Sequence, residues 1–418
     1  MKHTNRSLEL KIDQSSVEIL PAGAQLPSEV KLLLACARTI IEPASLAQMH
    51  YLAQSDLDWD ILLDLARWHG VVPLLYSAIQ RYLLSTVPQE VMLELRENYL
   101  AGVQRAIGLA AELTRLVALF NAAGIRCIPI KGPILAMAAY GNLALRQFSD
   151  LDILVPPEDV LAAKSVLLAE GYHPDPLLSQ QHEVLRLRTH YVYAFTQEVG
   201  AVCVELHYRL RPRYFAFALG WNNLSAWREQ AMAGGTVLPQ LATADQLLFL
   251  CAHGANHCWE RLAWICDIAE LLRRDVPLDW ESIQRRAQDL GCERMLLLGL
   301  MLAHELLNAT LPEPMLSRAY ADHVACELAA DVCRRLGTCR NEQPGLIASS
   351  LFHLRARERW RDRLAYCLGV AFVTSAEDWA LLPLPTWLMW VYSLVRPFRL
   401  LIIYGFAPLL RRLSMPFA

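Results

Sequence analysis

The chain contains no C-x-x-C pair, no low-complexity tract and no 20–50-residue internal repeat. The first absence excludes the commonest zinc-ribbon and dithiol redox motifs. The other two exclude solenoids and extended linkers. Its 11 cysteines are odd in number and scattered. Cys36, Cys127, Cys203, Cys251 and Cys266 sit in apolar contexts, which reads as reduced core thiols of a cytoplasmic protein. Residues 1–28 are polar and lack an apolar h-region, so a secretory signal is not expected. An excess of positive charge is also missing. With 39 basic against 42 acidic residues the net charge is −3, which argues against nucleic acid as a partner but leaves room for a local basic pocket. Trp379 to Val395 carries no charge, but Pro383 and Pro385 interrupt it and Arg396 and Arg399 follow. About 20 apolar residues are needed to span a bilayer. This stretch reads as a buried or surface-docked helix, with a peripheral membrane contact through residues 379–412 as the alternative, because Trp, Tyr and Arg suit the interface.

What is present is length and apolar mass. At 418 residues, 54% of them hydrophobic, the chain can bury a large core and is long enough for two or three domains. Residues 1–28 are expected to be loosely ordered. Residues 29–123 carry a helical pattern, from Asp58–Trp68 with His69-Gly70 as its stop, through Leu74–Leu84 after Pro73, to a long helix from Pro88 that ends before Gly124. The period then changes. Strands are predicted over 125–130, 150–155, 191–196 and 201–207, the last two joined as a hairpin by Gln197-Glu-Val-Gly200. Between them lie a Lys131-Gly132-Pro133 turn, a helix over 134–140 and another over 160–170. Residues 216–418 return to helix. Thr243-Ala-Asp-Gln246 reads as a capping box, and helical patterns follow over 259–274, 280–307 and 314–336. The fold class expected is α+β: a small mixed sheet, residues 124–215, between mostly helical regions.

The chemistry concentrates in that central unit. Asp150 and Asp152 are two apart on a strand and point to one face, while Leu151, Ile153 and Val155 point to the other. Adjacent carboxylates repel, and a divalent cation relieves the repulsion. On the last strand Cys203, Glu205 and His207 share a face. If that strand pairs with the first, Glu205 joins Asp150 and Asp152 in a hard-oxygen site suited to Mg²⁺, with Mn²⁺ as a substitute. Such ions clamp the attacking and leaving oxygens of a phosphoryl or nucleotidyl displacement, and the third carboxylate can accept a proton from an attacking hydroxyl. Lys131 and Gly132 offer a charge and a closely approachable backbone to phosphate, and Arg146 offers a planar fork. The plainer reading makes all three acids solvated strand-end carboxylates and Lys131 a surface lysine.

The order strand-Lys131-Gly132-helix, Arg146-x-x-x-Asp150-x-Asp152-Ile-Leu-Val155, helix-Gly171-Tyr172 and hairpin with Val204-Glu205-Leu206-His207 resembles the uncharacterised nucleotidyltransferase family of the DNA polymerase beta superfamily. Trp68-His-Gly-Val-Val-Pro-Leu-Leu75, the run from His253 to Asp267 and Tyr392-Ser-Leu-Val-Arg396-Pro-Phe-Arg399 extend the similarity over most of the chain. The resemblance implies Asp150, Asp152 and Glu205 as catalytic metal ligands, and Lys131-Gly132 in the place where the superfamily has a Gly-Ser turn for the triphosphate. The step from that turn to Asp150 is longer than the superfamily's usual one. The implied activity is transfer of a nucleoside monophosphate from an NTP, with ATP the expected donor, to an unidentified hydroxyl-type acceptor, a small molecule or a peptide or protein side chain, releasing pyrophosphate. The alternative is a catalytically degenerate fold that binds or scaffolds.

Three further groups have two readings each. His253 and His257, four apart on a helix, make either a structural pair or a contact to substrate; their spacing also suits zinc, but no third ligand follows. His207 is a neighbour of the carboxylates or a satisfied core histidine. Arg209, Arg211 and Arg213 form a solvated basic face or a phosphate guide. Asp267 is expected to pair with Arg261 or a helical neighbour, and Arg396 and Arg399 to pack on the helical body.

Overall fold

In a computed structural model, residues 26–406 are described apart from 176–179, 198–201, 216, 226, 233–234, 275, 339–343, 375–377, 380–383, 385–387 and 389. The expected turn at 198–200, the N-terminal tail and much of the 379–412 segment therefore lie outside the described residues.

The chain opens with α1 (Ser28–Cys36), α2 (Pro43–Ala53), α3 (Trp59–His69) and α4 (Val72–Tyr82), then the 34-residue α5 (Gln89–Ala122). Local chemistry sets their ends. Asp58 caps α3 by accepting from the Ile61 amide at 3.0 Å, and Gly70 stops it at φ +68°, a left-handed conformation that glycine adopts without Cβ strain. Pro73 sits in the first turn of α4, where its missing N–H costs nothing.

The central unit follows: β1 (Ile128–Pro129), α6 (Gly132–Leu135) continuing as a π turn to Tyr140, β2 (Asp150–Leu154), α7 (Val160–Ala169), β3 (His173–Asp175), α8 (Gln180–Thr189), β4 (Val192–Gln197) and β5 (Val202–His207). The sheet order is β1-β2-β5-β4-β3. Only β2 and β5 run parallel, with Asp152 opposite Glu205 and Leu154 opposite His207; β4 and β5 pair antiparallel. Leu151, Ile153, Phe195, Val204 and Leu206 are fully buried in one cluster with Leu113, Leu116 and Phe120 of α5. The opposite face of β2 and β5 is thereby left for polar groups.

Helices then dominate: α9 (Thr243–Asn256), α10 (Leu262–Arg273), α11 (Trp280–Leu290), α12 (Glu293–Leu307), α13 (Glu313–Ala321), α14 (His323–Leu336), α15 (Leu346–Arg355), α16 (Trp360–Phe372) and α17 (Trp390–Leu400). α9, α10 and α12 share one hydrophobic cluster with α1–α4, so the first and last helical parts close over the same core. No helix among the described residues is long and apolar enough to cross a membrane.

The structure departs from the sequence reading in five places. The strand expected over 125–130 narrows to Ile128–Pro129; Pro129 has no N–H to extend the ladder. A hairpin of β6 (Trp227–Ala231) and β7 (Val237–Leu241) stands where helix was expected, and β3 was not anticipated. The capping box at Thr243 does not form. α9 has no side-chain cap, and Gln246 instead donates to the Ile130 carbonyl at 3.1 Å. Finally, α10 starts at Leu262 rather than at Trp259, because Cys258 and Trp259 take positive φ.

Trp259 is fully buried and folds back on α9. A Cβ added at Gly254 would fall 2.3 Å from its ring, whereas one at Gly108 in α5 meets nothing within 4 Å. Gly254→Ala is therefore expected to lose about 1–3 kcal/mol through overpacking, and Gly108→Ala to gain about 0.5–1 kcal/mol from a stiffer unfolded chain and better helix propensity. Chemical denaturation of both variants checks the pair. Equal effects would contradict the packing described.

Candidate functional site

The parallel register of β2 and β5 brings the polar groups together. Leu151 and Ile153 commit β2 to the core on one face, which fixes Asp150 and Asp152 on the other. Asp152 is 1% exposed. Its Oδ1 accepts from Lys131 Nζ at 2.9 Å and from His207 Nε2 at 3.0 Å. His207 Nε2 also lies 3.1 Å from Glu205 Oε2. Asp152 Oδ2 and His207 Nδ1 are buried with no hydrogen-bond partner.

Gly132 explains how Lys131 reaches Asp152. Its φ is +60°, and a Cβ there would sit 3.2 Å from the Asp150 carbonyl oxygen. A residue with a side chain would push the turn off β2 and withdraw the ammonium. The glycine thus acts through backbone approach to the aspartate strand.

The charges perturb one another. Burial opposes ionisation of Asp152, but Lys131 and then His207 outweigh it and hold the carboxyl well below the usual range. Burial likewise disfavours charge on Lys131 and His207. The neighbouring carboxylates reverse this, and both pKa values are raised. Asp150 is pushed up to about 6, first by burial and then by Asp152. Two acids of one strand are thus driven apart in acidity.

Asp152, Glu205 and His207 place one ligand atom each within 4.8 Å of one another, and among the described residues they are the group that could hold a metal ion. Asp150 stands beside this trio without belonging to it. The donor set fits a divalent cation: two carboxylates, an imidazole, and a buried carboxylate oxygen of Asp152 that nothing else uses.

The remaining predicted residues lie around this centre with different partners. Arg146 spends its fork on Asp267, at 2.7 and 2.9 Å, and Tyr140 Oη donates to the same carboxylate at 2.9 Å. Asp267 therefore pairs with Arg146, not with Arg261, whose guanidinium lies over the Trp68 ring. Arg146 also lines a cavity of about 160 Å³ with Arg67, Arg105 and Asn98. His253 and His257 face each other with ring centroids 4.7 Å apart, both against Trp264. Burial, reinforced by Lys131 and Arg211, lowers both pKa values, that of His257 to about 3. No metal-grade cluster of the described residues includes them, so the zinc spacing is a coincidence of the helix. Arg211 is not part of a solvated face: it is buried and donates to His253 Nδ1. The sequence named Arg211 only as one of a run of three and left its burial open, and it did not mark Tyr140. Alternation along Arg209, Arg211 and Arg213 was the available signal for the first, and nothing local marks the second.

Residues 55–308 match the model of the uncharacterised nucleotidyltransferase family. The chain belongs to that family. Membership implies a transferase with a nucleotide substrate, and the matched range takes in the five-stranded sheet, the carboxylates, His253 and His257. No curated protein matches the chain.

The Lys131–Asp152 pair generates a stability test. Removing one partner of a buried pair strands the other charge, at about 3–5 kcal/mol. Lys131→Met is expected to cost that much at neutral pH, and the double change with Asp152→Asn to cost less than Lys131→Met alone. Denaturant titration of the three variants reads the coupling; additive losses would contradict it.

Proposed function

We propose that the protein transfers a nucleoside monophosphate from an NTP, with ATP the expected donor, to a hydroxyl-type acceptor, using Mg²⁺ or Mn²⁺. The observation carrying this reading is the register of β2 on β5, which sets Asp152 opposite Glu205 beside Asp150 in a chain of nucleotidyltransferase family. Asp150, Asp152 and Glu205 would hold the cation, with His207 behind them. When bound, the metal supplies electrostatic stabilisation of the charge that builds on the transferred phosphoryl group. Lys131, the Gly132 backbone and Arg146 hold phosphates. Asp267 and Tyr140 position Arg146. The acceptor oxygen attacks the α-phosphorus, the α–β P–O bond breaks, and pyrophosphate leaves. Glu205, with its side chain 35% exposed, is the most open acid of the metal-grade trio and takes the acceptor's proton.

Incubation with Mg²⁺ and each labelled NTP, followed by pyrophosphate release or self-labelling, tests the reading. Asp152→Asn is expected to reduce turnover at least about a hundredfold, since metal-borne charge stabilisation is worth several kcal/mol, and chelation should abolish it. Turnover indifferent to both changes would sink the metal assignment.

A second reading, a binding or scaffold protein resting on a lipid surface, is favoured by one observation. Trp390, Leu394 and Phe398 recur at four-residue spacing on α17 and are more than half exposed, beside exposed Leu364 and Leu368 of α16. Sedimentation with anionic vesicles that is lost after truncation at Asp378 is expected on this reading, and full-length protein that stays in the supernatant removes it.

A further inference from the structure

A second basic cavity is lined by residues that follow β2 and β5, whereas Arg146 precedes β2. It has a volume of about 580 Å³ and opens where the chain leaves β2 and β5, between Pro157 and Tyr208. Five arginines line it: Arg209, Arg211 and Arg213 just past β5, and Arg359 and Arg361 before and within α16. Only two acids, Asp289 and Asp362, line it with them. Arg361 Nε lies 3.7 Å from Asp362, a loose pairing, while Arg209 and Arg359 donate to backbone carbonyls, which leave their charge uncompensated.

Arg211 makes this more than a charged rim. It is 4% exposed, its bonded neighbour His253 is held neutral, and its buried Nε has no partner. Burying a guanidinium with no carboxylate in direct contact is costly, and an incoming oxyanion recovers part of that cost through charge-assisted hydrogen bonds. Arg211 is also close enough to Asp152 and Glu205 to feel their charge, so an occupant bound against it lies beside the reacting centre. The volume suits a small molecule and excludes a duplex or a folded partner.

We propose that this arginine pocket is the acceptor side of the site and that the acceptor is a small molecule bearing a phosphate or carboxylate group. The acceptor role rests on the nucleotidyltransferase reading; the anion site does not.

The test is calorimetric titration of the full chain, without NTP, using inorganic phosphate in one arm and citrate in the other. Arg213 and Arg361 are exposed, so Arg213→Gln/Arg361→Gln is expected to fold normally and to weaken binding at least tenfold. Arg81→Gln/Arg96→Gln, which removes two exposed charges that do not line the pocket, should retain it. Whichever anion binds tighter names the group. Binding of neither anion, undiminished binding in the Arg213→Gln/Arg361→Gln variant, or an equal or greater loss in Arg81→Gln/Arg96→Gln overturns the proposal. Because no nucleotide is present, each of these results leaves the NTP reading to its own assay.

Discussion

The site is organised around one buried carboxylate. Asp152 is enclosed by protein and still ionised, which is tolerable only because Lys131 and His207 converge on one of its oxygens. Each partner arrives by a different structural route. His207 comes with the parallel register of β5, and Lys131 through a turn that only glycine at position 132 lets approach the Asp150 backbone. The helices on either side share a single core, and α9 braces the turn from behind through Gln246.

The second oxygen of Asp152 gives this arrangement its chemistry. An ammonium and an imidazole stabilise the carboxylate in the resting protein without using both of its lone-pair centres. In the proposed reaction a cation would meet a carboxylate already charged and in place, with Asp150 beside it pushed up to about 6. Arginines line two cavities near this part of the fold, Arg146 in one and Arg211 in the other.

Much of this was legible in the sequence because strand periodicity is strict. Alternation at Leu151 and Ile153 forces Asp150 and Asp152 to one face, and the same rule places Glu205 with His207. The α+β class followed from the change of period at Gly124. What stayed hidden was long-range pairing. The capture of Arg146 by Asp267 joins residues far apart in the chain, and no local pattern encodes it. Arg211 was left open between a solvated face and a phosphate guide; its burial comes with its contacts to Phe249 and His253 of α9, which no local pattern encodes. The β6–β7 hairpin was missed because five-residue strands amid helical sequence carry little periodic signal.

The central claim is that Asp152 and Glu205 are the protein's cation site. Its most direct test is a crystal grown with Mn²⁺ and a non-hydrolysable ATP analogue, read by anomalous scattering at the manganese edge. A peak within coordination distance of Asp152 Oδ2 and a Glu205 oxygen, with the triphosphate turned toward Lys131, is expected. A peak at His253 and His257, or nucleotide bound with no metal at Asp152, would contradict it.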